Sequence, residues 1–242
     1  MTERFSVYYT PDPKSPLYRI GSAILGYCVH SGESLKPPWP SDLTTVVSRP
    51  LKAAIYGFHA TMVAPFRSLA PAERLARDLE SLAKKAEAIE LGSLEVTLLE
   101  PGFPALIPKT PNSALHELEA RLVESFAPYI APLTPDDLAR REPLSERQRI
   151  LARKWGYPYV LDEFRFHLTL GDPLTDQTPN LSPKNRECLE FLRSLFSEDI
   201  LTISLDRLCL CQQSSKEAAF KVIFETILKT NNQKRGAGAE GM

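Results

Sequence analysis

The chain has 242 residues, of which 43% are hydrophobic and 24% charged, the composition of a soluble globular protein with one large core or two small lobes. Lys and Arg number 29 against 30 Asp and Glu, so the net charge of −1 gives no global pull toward nucleic acid or an anionic membrane. Any anion binding has to be local, and no apolar run reaches the length of a membrane-spanning helix.

Residues 5–9 read as an opening strand, closed by Pro11-Asp12-Pro13. Ser15 followed by Pro16 marks a helix start, with Leu17, Ile20 and Ile24 along one face. Residues 31–50 hold several prolines and little periodicity, which predicts a loop. Residues 56–66 read as a strand halted by Pro65. Residues 71–89 read as an amphipathic helix, with Leu75, Leu79, Leu82 and Ala86 as its apolar stripe. Residues 94–99 and 103–107, joined by Glu100-Pro101-Gly102, predict a hairpin.

Asn112 caps a second helix to about residue 126. Thr134-Pro135-Asp136-Asp137 and Ser145-Glu146-Arg147-Gln148 both look like helix starts, the second in capping-box order. Residues 164–170 predict a strand, 173–183 a polar loop and 185–196 a helix. Residues 201–211 read as one long central strand and 219–227 as the closing one, followed by a disordered tail at 230–242. The order implies an α+β protein: a bilobal, pseudo-two-fold pair of antiparallel sheets with helices outside and a central cleft. Residues 1–229 are then a single domain of two lobes.

One short pattern occurs twice, as Phe58-His59-Ala60-Thr61 and Phe166-His167-Leu168-Thr169, and uses two of only four histidines. In a strand, residues i and i+2 share a face, so His59 projects with Thr61 and His167 with Thr169. If the two strands line opposite walls of a cleft, one imidazole can act as base and the other as acid on a phosphoester. Two hydroxyls would then hold the non-bridging oxygens. His30 and His116 lack this context and read as structural or solvated. Cys209 and Cys211 share a strand face and read as core packing rather than a metal site. Four cysteines without a C-x-x-C pair point away from a disulfide framework and toward a reducing cytoplasm.

Tyr56-Gly57-Phe58-His59-Ala60-Thr61 and Phe164-Arg165-Phe166-His167-Leu168-Thr169-Leu170 resemble the two signatures of the two-histidine (2H) phosphoesterase superfamily. Leu138-Ala139-Arg140-Arg141 and Trp155-Gly156-Tyr157-Pro158-Tyr159-Val160 are similar to its bacterial branch of phosphonate-metabolism proteins. The resemblance runs from about residue 5 to 224. It implies a bilobal antiparallel fold and metal-free phosphodiester chemistry at His59, Thr61, His167 and Thr169, with no cofactor. That branch usually has Lys two residues after the first Thr, where this chain has Val63.

Arg165 shares a face with His167 and either reaches phosphate or pairs with Asp162, Glu163 or another acid. Tyr56, Tyr157 and Tyr159 either stack on a base or sugar or pack beneath the cleft. Arg140 and Arg141 form either an anion clamp or a solvated helix end. The expected partner is a phosphorylated small molecule or nucleotide, with RNA ends as the alternative and no membrane. The expected activity is hydrolysis of a cyclic phosphate or related phosphodiester on a small ribose-containing molecule. The rivals are RNA-end processing and a silent nucleotide-sensing module.

Overall fold

Eight strands form the frame of the structure, a computed structural model that describes residues 3–43, 51–141, 143–174 and 181–230. In chain order they are β1 (Arg4–Tyr9), β2 (Ala60–Phe66), β3 (Ile89–Leu99), β4 (Phe103–Pro108), β5 (Leu168–Thr169), β6 (Thr202–Leu205), β7 (Arg207–Gln213) and β8 (Lys221–Ile227). They make two four-stranded sheets, ordered β2-β1-β7-β8 and β5-β4-β3-β6, and every pairing is antiparallel. The expected α+β pair of antiparallel sheets is therefore present.

The two orders are related. β1 and β2 are neighbours in the first sheet, and β4 and β5 hold the matching places in the second. β3, which follows β2 in the chain, crosses to lie beside β4, while β7 crosses back to lie beside β1. The chain thus leaves the first sheet after β2 and returns to it at β7 and β8, and one hydrophobic cluster joins Tyr9 and Leu210 of the first sheet to Leu94 and Leu106 of the second. These crossings tie the two sheets' relative placement to backbone pairing as well as to side-chain packing.

The helices are α1 (Pro16–Leu25), α2 (Ala72–Ala83), α3 (Ser113–Phe126), α4 (Pro135–Ala139), α5 (Glu146–Trp155), α6 (Pro183–Ser194) and α7 (Glu198–Leu201). The capping signals sit where the sequence puts them. Ser15 accepts from the Tyr18 N–H and Asn112 from the Leu115 N–H, and Thr134 and Ser145 each close a capping box. Each cap satisfies a backbone donor that the helix itself leaves unpaired.

Four expectations are corrected. The strand read over 56–66 begins only at Ala60, because Lys52–Tyr56 form a 3-10 turn that ends at Gly57. The strand read over 164–170 is reduced to Leu168–Thr169, after which the Leu170 N–H still donates to the Pro104 carbonyl of β4 at 2.8 Å. α2 ends at Ala83, and Ile89, read as its last turn, starts β3. The single strand read over 201–211 is two strands in different sheets. Asp206, between β6 and β7, marks the crossing, and its side chain pairs with Arg207 at 3.0 Å. The tail from residue 231 and parts of the two predicted loops, 44–50 and 175–180, lie outside the described residues.

Candidate active site

His59 and His167 occupy the same place relative to their sheets. Each stands one residue before an edge strand, β2 in one sheet and β5 in the other. Gly57 sets the first approach. Its φ of +70° is a conformation side chains rarely adopt, and a Cβ there would lie 2.5 Å from Cβ of Val29. The turn at Gly57 carries the chain from the 3-10 segment into β2. Phe58 is fully buried against α1, where a Cβ on Gly21 would lie 2.5 Å from its ring. Truncating such a buried Phe costs about 3–5 kcal/mol, so His59 rests on a firm anchor.

The backbone also decides which nitrogen of each ring carries the proton. Nδ1 of His59 lies 2.9 Å from the Gly57 carbonyl, and Nδ1 of His167 lies 2.8 Å from the Arg165 carbonyl. A carbonyl only accepts, so each Nδ1 donates and each neutral ring keeps its lone pair on Nε2. For His59 that lone pair meets the Thr61 hydroxyl at 3.1 Å. Both rings are therefore oriented by the carbonyl two residues back, and Nε2 of His59 rests on the Thr61 hydroxyl.

His59 feels the charge of His167. Burial lowers the His59 pKa to about 4, the Gly57 bond pulls it up, and positive charge on His167 pushes it further down. Burial also lowers the His167 pKa, with the Arg165 carbonyl opposing. The side chains around His167 alternate: Phe164, Phe166, Leu168 and Leu170 are buried, whereas Arg165 is exposed and His167 and Thr169 are half-buried. The i, i+2 face thus persists beyond the two residues of β5.

An aromatic floor lies under His59 that the motif did not reveal. Tyr8 stacks on its imidazole with centroids 3.7 Å apart, and Tyr56 lies 6.4 Å away. Phe220 stacks on Tyr56 at 5.6 Å, and the Arg4 guanidinium lies 5.6 Å over Phe220. Tyr8 pairs directly across from Thr61 in the β1–β2 register, which puts both on one face. β1 offers Arg4, Ser6 and Tyr8 at i, i+2 and i+4, but only the pairing of β1 with β2 shows that this face meets His59.

The remaining candidates divide. Tyr157 is half-buried, with its hydroxyl pKa pushed up to about 12 by burial, and its ring lies 5.6 Å from the Arg141 guanidinium. Arg141 also donates to the Gly156 carbonyl at 3.0 Å, so the Trp155-Gly156-Tyr157 string ends α5 and forms a seat for Arg141. Tyr56 and Arg4 both act electrostatically on this pair, Tyr56 on the Tyr157 hydroxyl and Arg4 on Arg141. Arg140 instead turns outward to Asp137 at 2.7 Å, and Tyr159 is largely exposed. Arg140 and Arg141 therefore do not act as a pair. Arg165 is exposed, and the two acids named as its rival partners have other contacts: Asp162 with Arg147 at 2.5 Å and Glu163 with Gln148 at 3.1 Å. Val63 is buried and lines a narrow crevice with Trp155, Gly156 and Tyr157. An apolar wall fills the place of the lysine expected from the resemblance.

A family model described as a protein of unknown function, DUF1045, matches residues 61–221. The chain belongs to the DUF1045 family. Among curated proteins, this DUF1045 chain is similar to two named ribose 1,5-bisphosphate phosphokinase PhnN. The one from Laribacter hongkongensis is 33% identical over 181 residues, covering 72% of this chain and 41% of the relative. The one from Janthinobacterium sp. is 37% identical over 179 residues, covering 71% and 39%. The chain spans about two fifths of the length of these relatives. Solved structures similar to it include E. coli LigT complexed with 3'-AMP, at 13% identity and a TM-score of 0.46 over 95% of this chain and 99% of that one. Another is the same protein complexed with ATP, at 11% and 0.48 over 94% and 98%. A chain described as a phosphoesterase is similar at 15% and 0.46, over 95% and 99%.

Proposed function

We propose that this DUF1045 protein is a phosphodiesterase that opens a cyclic phosphate on a small phosphorylated ribose. The observation that supports this best is the matched pair of imidazoles, each with Nδ1 tied to the carbonyl two residues back and its lone pair on Nε2, with charge on His167 felt at His59. His59, held neutral by burial, is the base, and His167, in its protonated form, is the acid. Water attacks phosphorus as His59 Nε2 takes its proton. The bond from phosphorus to the ribose oxygen breaks, and Nε2–H of His167 protonates that oxygen. Phosphodiester and water thereby become phosphomonoester and free hydroxyl. Each proton transfer is worth about 10²–10⁴ in rate.

Thr61 and Thr169 hold the non-bridging oxygens, while Arg141 and Arg165 meet the anionic end of the substrate. Tyr56 and Tyr157 supply apolar walls beside the sugar. The name of the two kinase relatives supports the sugar: a ribose bisphosphate is what results when a ring phosphodiester on a ribose phosphate is hydrolysed. The test is turnover of cyclic ribose phosphates and 2′,3′-cyclic nucleotides by wild type, His59→Gln and His167→Gln. Tight binding without turnover by the wild type would overturn the reading in favour of a sensor.

A further inference from the structure

Beside the histidine pair lies a second polar cluster that the proposed chemistry does not use. Cys209 on β7 and Glu225 on β8 are direct cross-strand partners, with Sγ and Oε2 3.7 Å apart. The loop after α1 brings His30 over them, and this loop is fixed to β8 by the Val222 N–H donating to the Val29 carbonyl at 2.9 Å. The Thr10 hydroxyl bridges the two other groups, 2.9 Å from His30 Nε2 and 3.3 Å from Cys209 Sγ. One ligand atom each from His30, Cys209 and Glu225 lie within 4.8 Å of one another.

We propose that His30, Cys209 and Glu225 form a divalent transition-metal site, best suited to zinc, with the fourth position open to Thr10 or water. The donor set of one imidazole, one thiolate and one carboxylate suits zinc's borderline character. Tetrahedral bonds of 2.0–2.3 Å place ligand atoms about 3.5 Å apart, so only a small closure is needed. Glu225 can supply it, because it is exposed on an edge strand. Its other oxygen is held by Arg207 at 3.6 Å, which orients the carboxylate so that Oε2 faces the thiol.

Arg207 is the obvious objection, being a cation beside a cation site. It is already compensated by Asp12 and Asp206, both at 3.0 Å, together with Glu225, so three acids surround one base. A thiol binds metal as the thiolate, so uptake replaces the S–H proton, which leaves to solvent as the sulfur–metal bond forms. The site is separate from the histidine pair but mechanically linked to it. Cys209 pairs across from Tyr8, the ring on which His59 rests, and His30 packs edge-on at 5.2 Å against Tyr18, which packs on Phe58.

The test uses the full chain stripped by a chelator and titrated with Co2+, which gives a thiolate-to-cobalt charge-transfer band in the near ultraviolet, then with Zn2+, which removes it. The band is expected in the wild type and in Cys211→Ser, and its loss is expected in Cys209→Ser. Glu225→Gln should keep the band and weaken binding at least about tenfold, the usual cost of losing a ligand or its support. Should Cys209→Ser fail to fold, His30→Gln should keep the band and weaken Co2+ binding at least about tenfold, and unchanged affinity there overturns the site. No charge-transfer band in the wild type, or an unchanged one in a folded Cys209→Ser, overturns the site. Because the readout is optical, it succeeds or fails independently of phosphodiester turnover.

Discussion

His59 and His167 carry the same hydrogen bond to the carbonyl two residues back, yet they stand on different ground. β2 is seven residues long and pairs with β1 at four positions, and the His59 ring lies flat on Tyr8. β5 has two residues and pairs with β4 at two positions. The first imidazole is held down to a pKa of about 4, and the second is lowered as well by its own burial. Under the proposed function, one motif would supply two roles: a neutral base on a longer strand, and an acid on a short one that bound phosphate can still charge.

The harshest way to break the comparison is to remove each ring. His59→Gln and His167→Gln should each lower kcat by about 10²–10⁴, and the double variant should fall no further than the product of the two. Steady-state kinetics on a cyclic ribose phosphate decide it, and full activity in either single variant ends the assignment of roles.

The pH dependence sharpens the same contrast. Turnover needs His59 neutral and His167 protonated, so kcat/KM should rise through about pH 4 as His59 loses its proton. It should fall again below pH 6.5, where His167 deprotonates in the free protein, its pKa being lowered. A bound phosphate anion favours the imidazolium, so the alkaline limb of kcat should lie at higher pH than that of kcat/KM. Stability follows the same sign. The unfolded chain binds a proton near pH 6.5 that folded His59 refuses until about 4, so stability is full above 6.5 and is lost as pH falls between those values. The ceiling on this loss is on the order of 3 kcal/mol, reduced because the half-buried ring still meets solvent. Denaturant midpoints of wild type and His59→Gln from pH 4 to 7 measure it, and parallel curves would refute the burial of a neutral ring.

The hydroxyls should matter less. Thr61→Val removes both a phosphate donor and the bond to His59 Nε2, whereas Thr169→Val removes a donor alone. A drop of about tenfold to a hundredfold in kcat/KM is expected for Thr61→Val, and a smaller one for Thr169→Val. Equal losses would mean that the Thr61–His59 bond is broken in the reacting complex and contributes nothing.

The duplicated motif was legible because imidazole, hydroxyl and phenyl recur in the same order, and helix caps at Ser15, Asn112, Thr134 and Ser145 were legible because capping is local chemistry. What escaped was long-range. The split at Asp206 lies inside an apolar run that reads as one strand, and only the crossing between sheets breaks it there. Tyr8 reaches His59 across more than 50 positions of chain, and Phe220 packs on Tyr8 across more than 200, through pairings that no local periodicity encodes. His30, Cys209 and Glu225 converge for the same reason, each looking ordinary in its own segment.

The smallest effect separates the ring of Tyr8 from its hydroxyl. The side chain is fully buried, and the hydroxyl has no hydrogen-bond partner of good geometry, while nearby Ser6 gives its proton to the Val63 carbonyl at 2.6 Å. A buried hydroxyl without a partner contributes nothing favourable and carries a desolvation cost of roughly 1–3 kcal/mol. Tyr8→Phe keeps the stack on His59, so it should leave kcat and the acid limb in place and raise the melting temperature slightly. Tyr8→Leu removes the stack and loosens the packing that keeps His59 neutral. NMR titration of the His59 ring should then show its pKa moving up toward 6.5, with the acid limb of kcat/KM following it. A large loss of activity in Tyr8→Phe would instead mean that the hydroxyl finds its partner in the bound substrate, and the floor under His59 would belong to the chemistry itself.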